Sequence, residues 1–273
     1  MIKYILVTND PQVAKYAEAS GVGRVFVDLE VIGKQERQGH LDTLISNHSI
    51  EDVYRVKAKL TRADLLVRLN PMHVNTVLEV EEAILAGADL LMLPMFRTVD
   101  EIQEFSRLVD GRVKIVPLVE TYDAAVVMSD IVTVTGVDEI YIGLNDLHLD
   151  MGLKFMFEPL VSGFVEQLAD IIRSSGKPFG FGGIARYGEG IIPGELVLGE
   201  HLRLGSSSVM LSRTFHRKSE GFAEFKLKVD LEMELKKLSD AEEQLKTRSA
   251  AQVLADKQRL SDVVTQYLAQ GQY

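Results

Sequence analysis

The sequence predicts an α/β protein, a (β/α)8 TIM barrel with an extended C-terminal helical tail. Three observations predict it. Short runs rich in Val, Ile and Leu recur along the 273 residues, each followed by a polar amphipathic stretch of helical length, as parallel strands covered by helices read. There are eight such runs, the number a closed barrel of this kind needs. The length suits one barrel, which typically uses about 250 residues, plus a tail.

The strand runs are YILVTN (4–9), RVFVDLE (24–30), LLVRLN (65–70), DLLMLPM (89–95), KIVPLVET (114–121), EIYIGLND (139–146), FGFGGI (179–184) and SVMLSRTF (208–215). Between them PQVAKYAEAS, VLEVEEAILAGA, TVDEIQEFSRLV and FEPLVSGFVEQLADIIRSSG read as helices. From about residue 220 the pattern becomes long, charged and nearly free of glycine. Leu231, Leu235, Leu238, Leu245, Val253, Leu260, Val264 and Leu268 then recur as one face of helices would. The expected division is a catalytic barrel over 1–238 and a helical oligomerisation tail over 239–273. The tail stripe is expected to pack on a neighbouring subunit, with folding back onto its own barrel as the alternative.

Composition narrows the function. The chain is 46% hydrophobic and 26% charged, enough apolar material for a large core, so a disordered protein is excluded. With a formal charge of −10 and no cluster of Lys and Arg beside aromatic residues, no nucleic-acid partner is expected. Cysteine is absent, which removes disulfides, thiolate metal sites and thiolate nucleophiles. No run is long enough for a signal peptide or membrane span, so no membrane partner and a cytoplasmic location are expected.

Several strand runs end in polar residues: Asn9 and Asp10, Asp28 and Glu30, Arg68 and Asn70, Glu120, Asn145 and Asp146, and Arg213. A barrel gathers those ends at one face, where the catalytic groups of such enzymes sit. The alternative for each residue is a helix cap or a solvated loop. Glu120 and Asp146 end adjacent runs. Two buried carboxylates call for something positive between them, and two oxygen donors with open positions suit Mg²⁺ or Mn²⁺. Arg68 stands in LLVRLN with apolar neighbours, where its planar fork would match the carboxylate of a keto acid or form an ion pair with Glu30 or Glu120.

The candidate proton acceptors are His148, two residues after Asp146, and His40, Lys34 or Glu30 in or after the second strand-end loop; a metal-bound water is a further alternative. His48 and His216 read as solvated loop residues. Gly180, Gly182 and Gly183 in FGFGGIAR fit either a backbone cradle for an anion or tight barrel packing. Arg186, Arg203 and Arg213 are candidates for reading a second acidic or phosphorylated group.

The stretch EEAILAGADLLMLPMFRTVDE, then KIVPLVET, then IYIGLNDLHLDMG resembles the metal-dependent pyruvate aldolases of the HpcH/HpaI and citrate lyase β superfamily. VFVDLE and LLVRLN resemble the earlier strand motifs of that family, and the likeness runs in order over residues 21–215. It implies metal ligands at Glu120 and Asp146, a substrate-carboxylate arginine at Arg68, and substrate binding by the turn Gly143, Leu144 and Asn145. The activity implied is that of a carbon–carbon lyase working through a metal-bound pyruvate enolate, with a keto acid and an aldehyde or ketone as small-molecule partners and a trimer or hexamer as the assembly. Where the hydroxy-acid aldolases resemble DGEH, this chain reads Asp28, Leu29, Glu30, Val31, and the carboxylate paired with that His falls near Ala86. The DLE triplet resembles the citrate lyase β branch, so a CoA-thioester lyase is the alternative enzyme. A non-catalytic barrel with an assembly or regulatory role is the alternative outside enzymes.

Overall fold

The computed structural model describes residues 1–33, 48–217, 219 and 221–271. Among them, strands β1 (Lys3–Val7), β2 (Arg24–Asp28), β3 (Asp64–Arg68), β4 (Leu90–Leu93), β5 (Lys114–Val119), β6 (Ile140–Ile142), β7 (Phe179–Ile184) and β8 (Ser208–Leu211) pair in sequence order, all parallel. β8 returns to β1 and closes the barrel. All eight expected runs are strands. Two of them run on into helical turns. Residues 144–146 begin the helix Leu144–Asp150, and Arg213–Phe215 form a short 3-10 turn.

The period of two along a strand sorts the side chains. Ile5, Phe26, Leu66, Leu90, Met92, Val116, Leu118 and Tyr141 form the core inside the barrel. Val25, Val27, Leu65, Val67 and Leu91 point outward into the layer shared with the helices. The inward series continues past the apolar residues at the C-terminal strand ends. Phe26 is followed on its face by Asp28, Leu66 by Arg68 and Leu118 by Glu120. The same alternation that fills the core therefore aims three charged groups at the mouth.

Beyond β8 the chain differs from expectation. One helix spans Leu231–Lys246 and so crosses the expected division at 238 and 239. It and the helix Ala250–Ala269 both pack on the helix Gly194–Leu204 of the same chain, burying Leu231, Leu235, Leu238, Leu260 and Val264. Arg248 fastens the junction, donating from Nη2 to the Gly199 carbonyl at 3.0 Å and from Nη1 to Asp256 at 2.8 Å. Lys257 reaches back to Glu166 at 2.7 Å. Most of the apolar stripe expected to face a neighbouring subunit is thus covered by its own barrel, while Leu245, Val253 and Leu268 stay half-buried. Apolar periodicity shows that a face is buried and is silent on which surface buries it.

Candidate active site

The C-terminal strand ends set Asp28, Glu30 and Glu120 around Arg68, and Asp146 follows β6, the strand next to that of Glu120. The four carboxylates are buried, at 4%, 1%, 2% and 6% exposure respectively. The β2–β3 register sets Asp28 beside Arg68. Arg68 donates from Nε and Nη2 to the two Asp28 oxygens at 2.8 and 2.9 Å, and its Nη2 lies 3.2 Å from Glu30. Its guanidinium carbon sits 5.6 Å from the centre of the Phe26 ring. Burial opposes the charge on Arg68, but the carboxylates of Asp28 and Glu30, with Glu120 beyond them, hold it well above the ordinary range. Arg68 is therefore a permanent cation with a fixed plane. The expected ion pair with Glu30 is present, but the two-pronged partner is Asp28.

Glu120 follows β5, and Gly143 follows β6 on the neighbouring strand. A Cβ on Gly143 would lie 2.8 Å from Glu120 Oε2 and 2.9 Å from its Cβ, so only glycine leaves this carboxylate its place. The other oxygen, Oε1, accepts the Met95 backbone N–H at 3.2 Å. Met95 holds a left-handed φ of 54°, an uncommon conformation for a side chain of this kind and one that concentrates at functional sites. Asp146 stands in the first turn of the helix Leu144–Asp150, where the helix dipole favours a negative charge. Two buried carboxylates on adjacent strand ends, one packed against a glycine, give a hard-oxygen donor set that fits Mg²⁺ or Mn²⁺ with water or substrate completing the shell. Among the described residues no group of three or more His, Cys, Asp or Glu could hold a metal ion, the strand-end acids included, so Glu120 and Asp146 would hold it as a pair.

His148 lies in that helix rather than in a loop. Two residues beyond Asp146, it projects about 200° further around the helix axis, away from the Asp146 side chain. Its ring is buried, with Nδ1 3.3 Å from the Leu144 carbonyl. Burial lowers its pKa, against the pull of contacts to Asn145 and Leu144 and of the charges on Asp146 and Glu158. His40 and Lys34 lie outside the described residues.

The histidine that sequence reasoning set aside is nearer the mouth. His48 is half-buried and its Nδ1 accepts the Asp28 backbone N–H at 3.0 Å. His216, beyond β8, lies close enough that His48 adds to burial in pushing its pKa down to about 4. Neither is the solvated loop residue expected. The 19 residues between Asp28 and His48 hid the contact, and no local motif marks it. Asp10 is a helix cap, as the alternative reading held, accepting from Gln12 N–H at 2.7 Å.

Gly180 serves packing, since a Cβ there would lie 2.5 Å from the Tyr141 ring and 2.4 Å from Ser208 Oγ. Arg203 is remote from the mouth, held on the helix layer by Glu200 and Glu166. A cavity of about 410 Å³ opens at the outer rim above β4, β5 and β6, lined by Arg97, Tyr122, Asp123, Asp150 and Met151. No helix among the described residues is long and apolar enough to cross a membrane.

The sequence matches the HpcH/HpaI aldolase/citrate lyase family over residues 6–158, more than half the chain. No curated protein matches it. Among solved structures it is similar to an HpcH/HpaI aldolase from Desulfitobacterium hafniense, with 18% identity, a TM-score of 0.59 and coverage of 77% of this chain and 85% of that one. An HpcH/HpaI aldolase/citrate lyase family protein from Burkholderia cenocepacia gives 16% identity, a TM-score of 0.62 and coverage of 90% and 95%. CitE from Mycobacterium tuberculosis, in complex with magnesium, acetoacetate and coenzyme A, gives 16% identity, a TM-score of 0.56 and coverage of 77% and 76%.

Proposed function

This chain belongs to the HpcH/HpaI aldolase/citrate lyase family, and from that premise we propose that it is a divalent-metal-dependent carbon–carbon lyase that makes or breaks a 2-keto acid through a pyruvate enolate. One observation carries the reading: Glu120 and Asp146 are buried carboxylates at adjacent strand ends, and Glu120 packs against Gly143 where any Cβ would displace it. Mg²⁺ or Mn²⁺ held there would supply positive charge where the enolate develops negative charge. Arg68 binds the keto-acid carboxylate. Asp28 occupies its Nε and Nη2 edge and fixes the guanidinium plane, so the rest of the fork meets the substrate in one orientation. The backbone at Gly143, Leu144 and Asn145 holds the same substrate from the β6 side, as the family resemblance implies.

In the cleavage direction the bond between C3 of the keto acid and the carbinol carbon breaks. Its electron pair stays with the keto acid as enolate, the hydroxyl proton goes to a base, and the aldehyde or ketone leaves. Protonation at C3 then gives pyruvate. Among the described residues of the loop after β2, Glu30 is the candidate base. With Nδ1 accepting from Asp28 N–H, a neutral His48 carries its proton on Nε2, so its one lone pair is already engaged and it can donate a proton there rather than take one.

A second reading, a CoA-thioester lyase, draws on the similarity to CitE, which was crystallised with coenzyme A. Incubation with Mg²⁺ or Mn²⁺ in D2O tests both. Deuterium entering the pyruvate methyl group, seen by NMR and lost when Glu120 becomes Gln, is the expected result. Exchange into acetyl-CoA instead would select the thioester reading. Exchange into neither, with either metal, would defeat the enolate chemistry altogether.

A further inference from the structure

We propose that Tyr141 is a positioning residue: its phenol bridges β7 and β8 beneath the mouth and, through Gly182, holds in place the turn of Gly143, Leu144 and Asn145 and the Asp146 carboxylate that follows it. The inference rests on the reading of Asp146 as a metal ligand.

β7 and β8 change register between Gly180 and Gly183, so that Phe181 and Gly182 stand where β8 offers only Val209. An extra residue of this kind disrupts the ladder and bends the strand, and such bulges concentrate beside active sites. Tyr141 bonds to both strands at this point. Met210 N–H donates to Tyr141 Oη at 2.8 Å, and Oη donates to the Gly182 carbonyl at 2.8 Å. The residue is 1% exposed within the barrel core, and its ring fills the place a side chain on Gly180 would take. Burial raises the pKa of the phenol well above its ordinary value, so the hydroxyl keeps its proton and has both a donor and an acceptor role filled. A phenylalanine would fill the same space. The hydroxyl serves the bulge rather than the packing.

One contact carries the bulge to the mouth. The β6–β7 register sets Tyr141 beside Gly180 and Ile142 beside Phe181, so Gly182 stands level with the start of the turn after β6. Gly182 has a left-handed φ of 52°, and a Cβ on it would lie 2.7 Å from Leu144 Cδ1. Leu144 is itself 1% exposed and opens the helix Leu144–Asp150, whose first turn holds Asp146. The turn therefore rests against the Gly182 backbone with no space between them. Close-packed interiors pass on small displacements, so fixing Gly182 fixes the surface on which the turn sits.

The test follows amide hydrogen exchange and Mn²⁺ affinity in the full chain, the first measured without metal. Tyr141→Phe keeps the ring and removes the bridge. Exchange at Leu147, whose N–H donates to the Gly143 carbonyl at 3.1 Å, should quicken about tenfold. Mn²⁺ should bind about tenfold more weakly, the lower end of what losing an outer-shell partner causes. Ser208→Ala removes another buried hydroxyl, one that donates to Glu139 at the floor at 2.8 Å. It should lower the melting temperature and move neither readout, which separates positioning from stability. If Tyr141→Phe does not fold, Leu144→Ala breaks the same contact from the other side and should move both readouts. Unchanged exchange at Leu147, faster exchange with wild-type Mn²⁺ affinity, or equal changes in Ser208→Ala would overturn the role. A wild type that binds no Mn²⁺ would remove the proposed metal chemistry instead, and the Leu147 exchange would then decide whether Tyr141 holds the turn.

Discussion

At the N-terminal end of the barrel Arg24 reaches across the interior and donates to both oxygens of Glu139, at 3.0 and 2.9 Å. Ser208 Oγ adds a third donor to the same carboxylate at 2.8 Å. At the C-terminal end Arg68 makes a fork of nearly the same dimensions with Asp28, but there Glu30 and Glu120 act on it as well. The lower contact is one guanidinium saturating one acid. It closes the barrel floor with no oxygen left over for a ligand. The upper one concentrates hard oxygen donors around a single cation where the strand ends open. The difference teaches that an Arg–carboxylate fork inside a barrel does not mark a site. What marks it is the surplus of acidic donors among the described residues, together with backbone arranged to leave them room.

The sharpest way to break this comparison is to neutralise the upper acids without changing their shape. Glu120→Gln or Asp146→Asn should lower Mn²⁺ affinity by at least about a hundredfold, more than the loss of an outer-shell partner causes, and turnover should fall with it. The thermal midpoint should hold. Calorimetric titration and a melting curve check both halves. Wild-type affinity in both variants would show the upper acids to be as structural as Glu139.

The floor should respond in the opposite way. Arg24→Met leaves Glu139 buried with its charge uncompensated, and losing one partner of a buried pair costs about 3–5 kcal/mol. Denaturant midpoints should show that loss, whereas Mn²⁺ affinity of the folded variant should stay at the wild-type value. A variant that keeps its stability would mean the floor pair contributes nothing to closure.

How much of this was legible differs from residue to residue. The strands were legible because buried parallel strands are continuous apolar runs, and inward alternation leads from Leu118 to Glu120 and from Leu66 to Arg68 without reference to any partner. The partner of Arg68 was not. Glu30 and Glu120 were the partners expected on sequence grounds, whereas the β2–β3 register sets Asp28 beside it. A shift of one residue would have turned Asp28 away from the interior. His148 was misplaced for a related reason, because its spacing from Asp146 says nothing until the segment is known to be helical. His48 depends on a long-range contact, and the cover of the tail depends on which surface of its own barrel it meets.

Arg68→Lys probes the upper fork more gently than the loss of an acid. An ammonium keeps the charge but cannot occupy Asp28 with two donors and still offer the substrate a planar edge. Oxalate binding in the presence of Mg²⁺ should weaken by about ten- to a hundredfold, on the order of 1.4–3 kcal/mol, with little change in metal affinity. Equal loss of both would mean that Arg68 acts by holding the acids in place rather than by gripping substrate.

Acid separates stability from the site by a third route, in steps of no more than one proton's worth per pH unit. His201 is fully buried, stacked on Phe181 with ring centres 3.8 Å apart, and its Nδ1 lies 2.8 Å from Ser206 Oγ. Burial pushes its pKa down from 6.5 to about 3. The native protein therefore keeps this ring neutral in a range where the unfolded chain binds a proton. Since stability rises with pH wherever the unfolded state holds more protons, the contribution of the neutral ring is complete above about pH 6.5. It is lost as the pH falls toward about 3. The slope for one such proton is about 1.4 kcal/mol per pH unit. His201→Phe keeps a ring against Phe181 and removes the proton, so its urea midpoints at pH 7, 6, 5 and 4 should fall less steeply than those of the wild type. All other titrating groups are common to the two proteins, and the difference between the curves isolates this one. A difference that stays constant with pH would show that His201 is not held neutral, and that the acid sensitivity of the fold lies elsewhere.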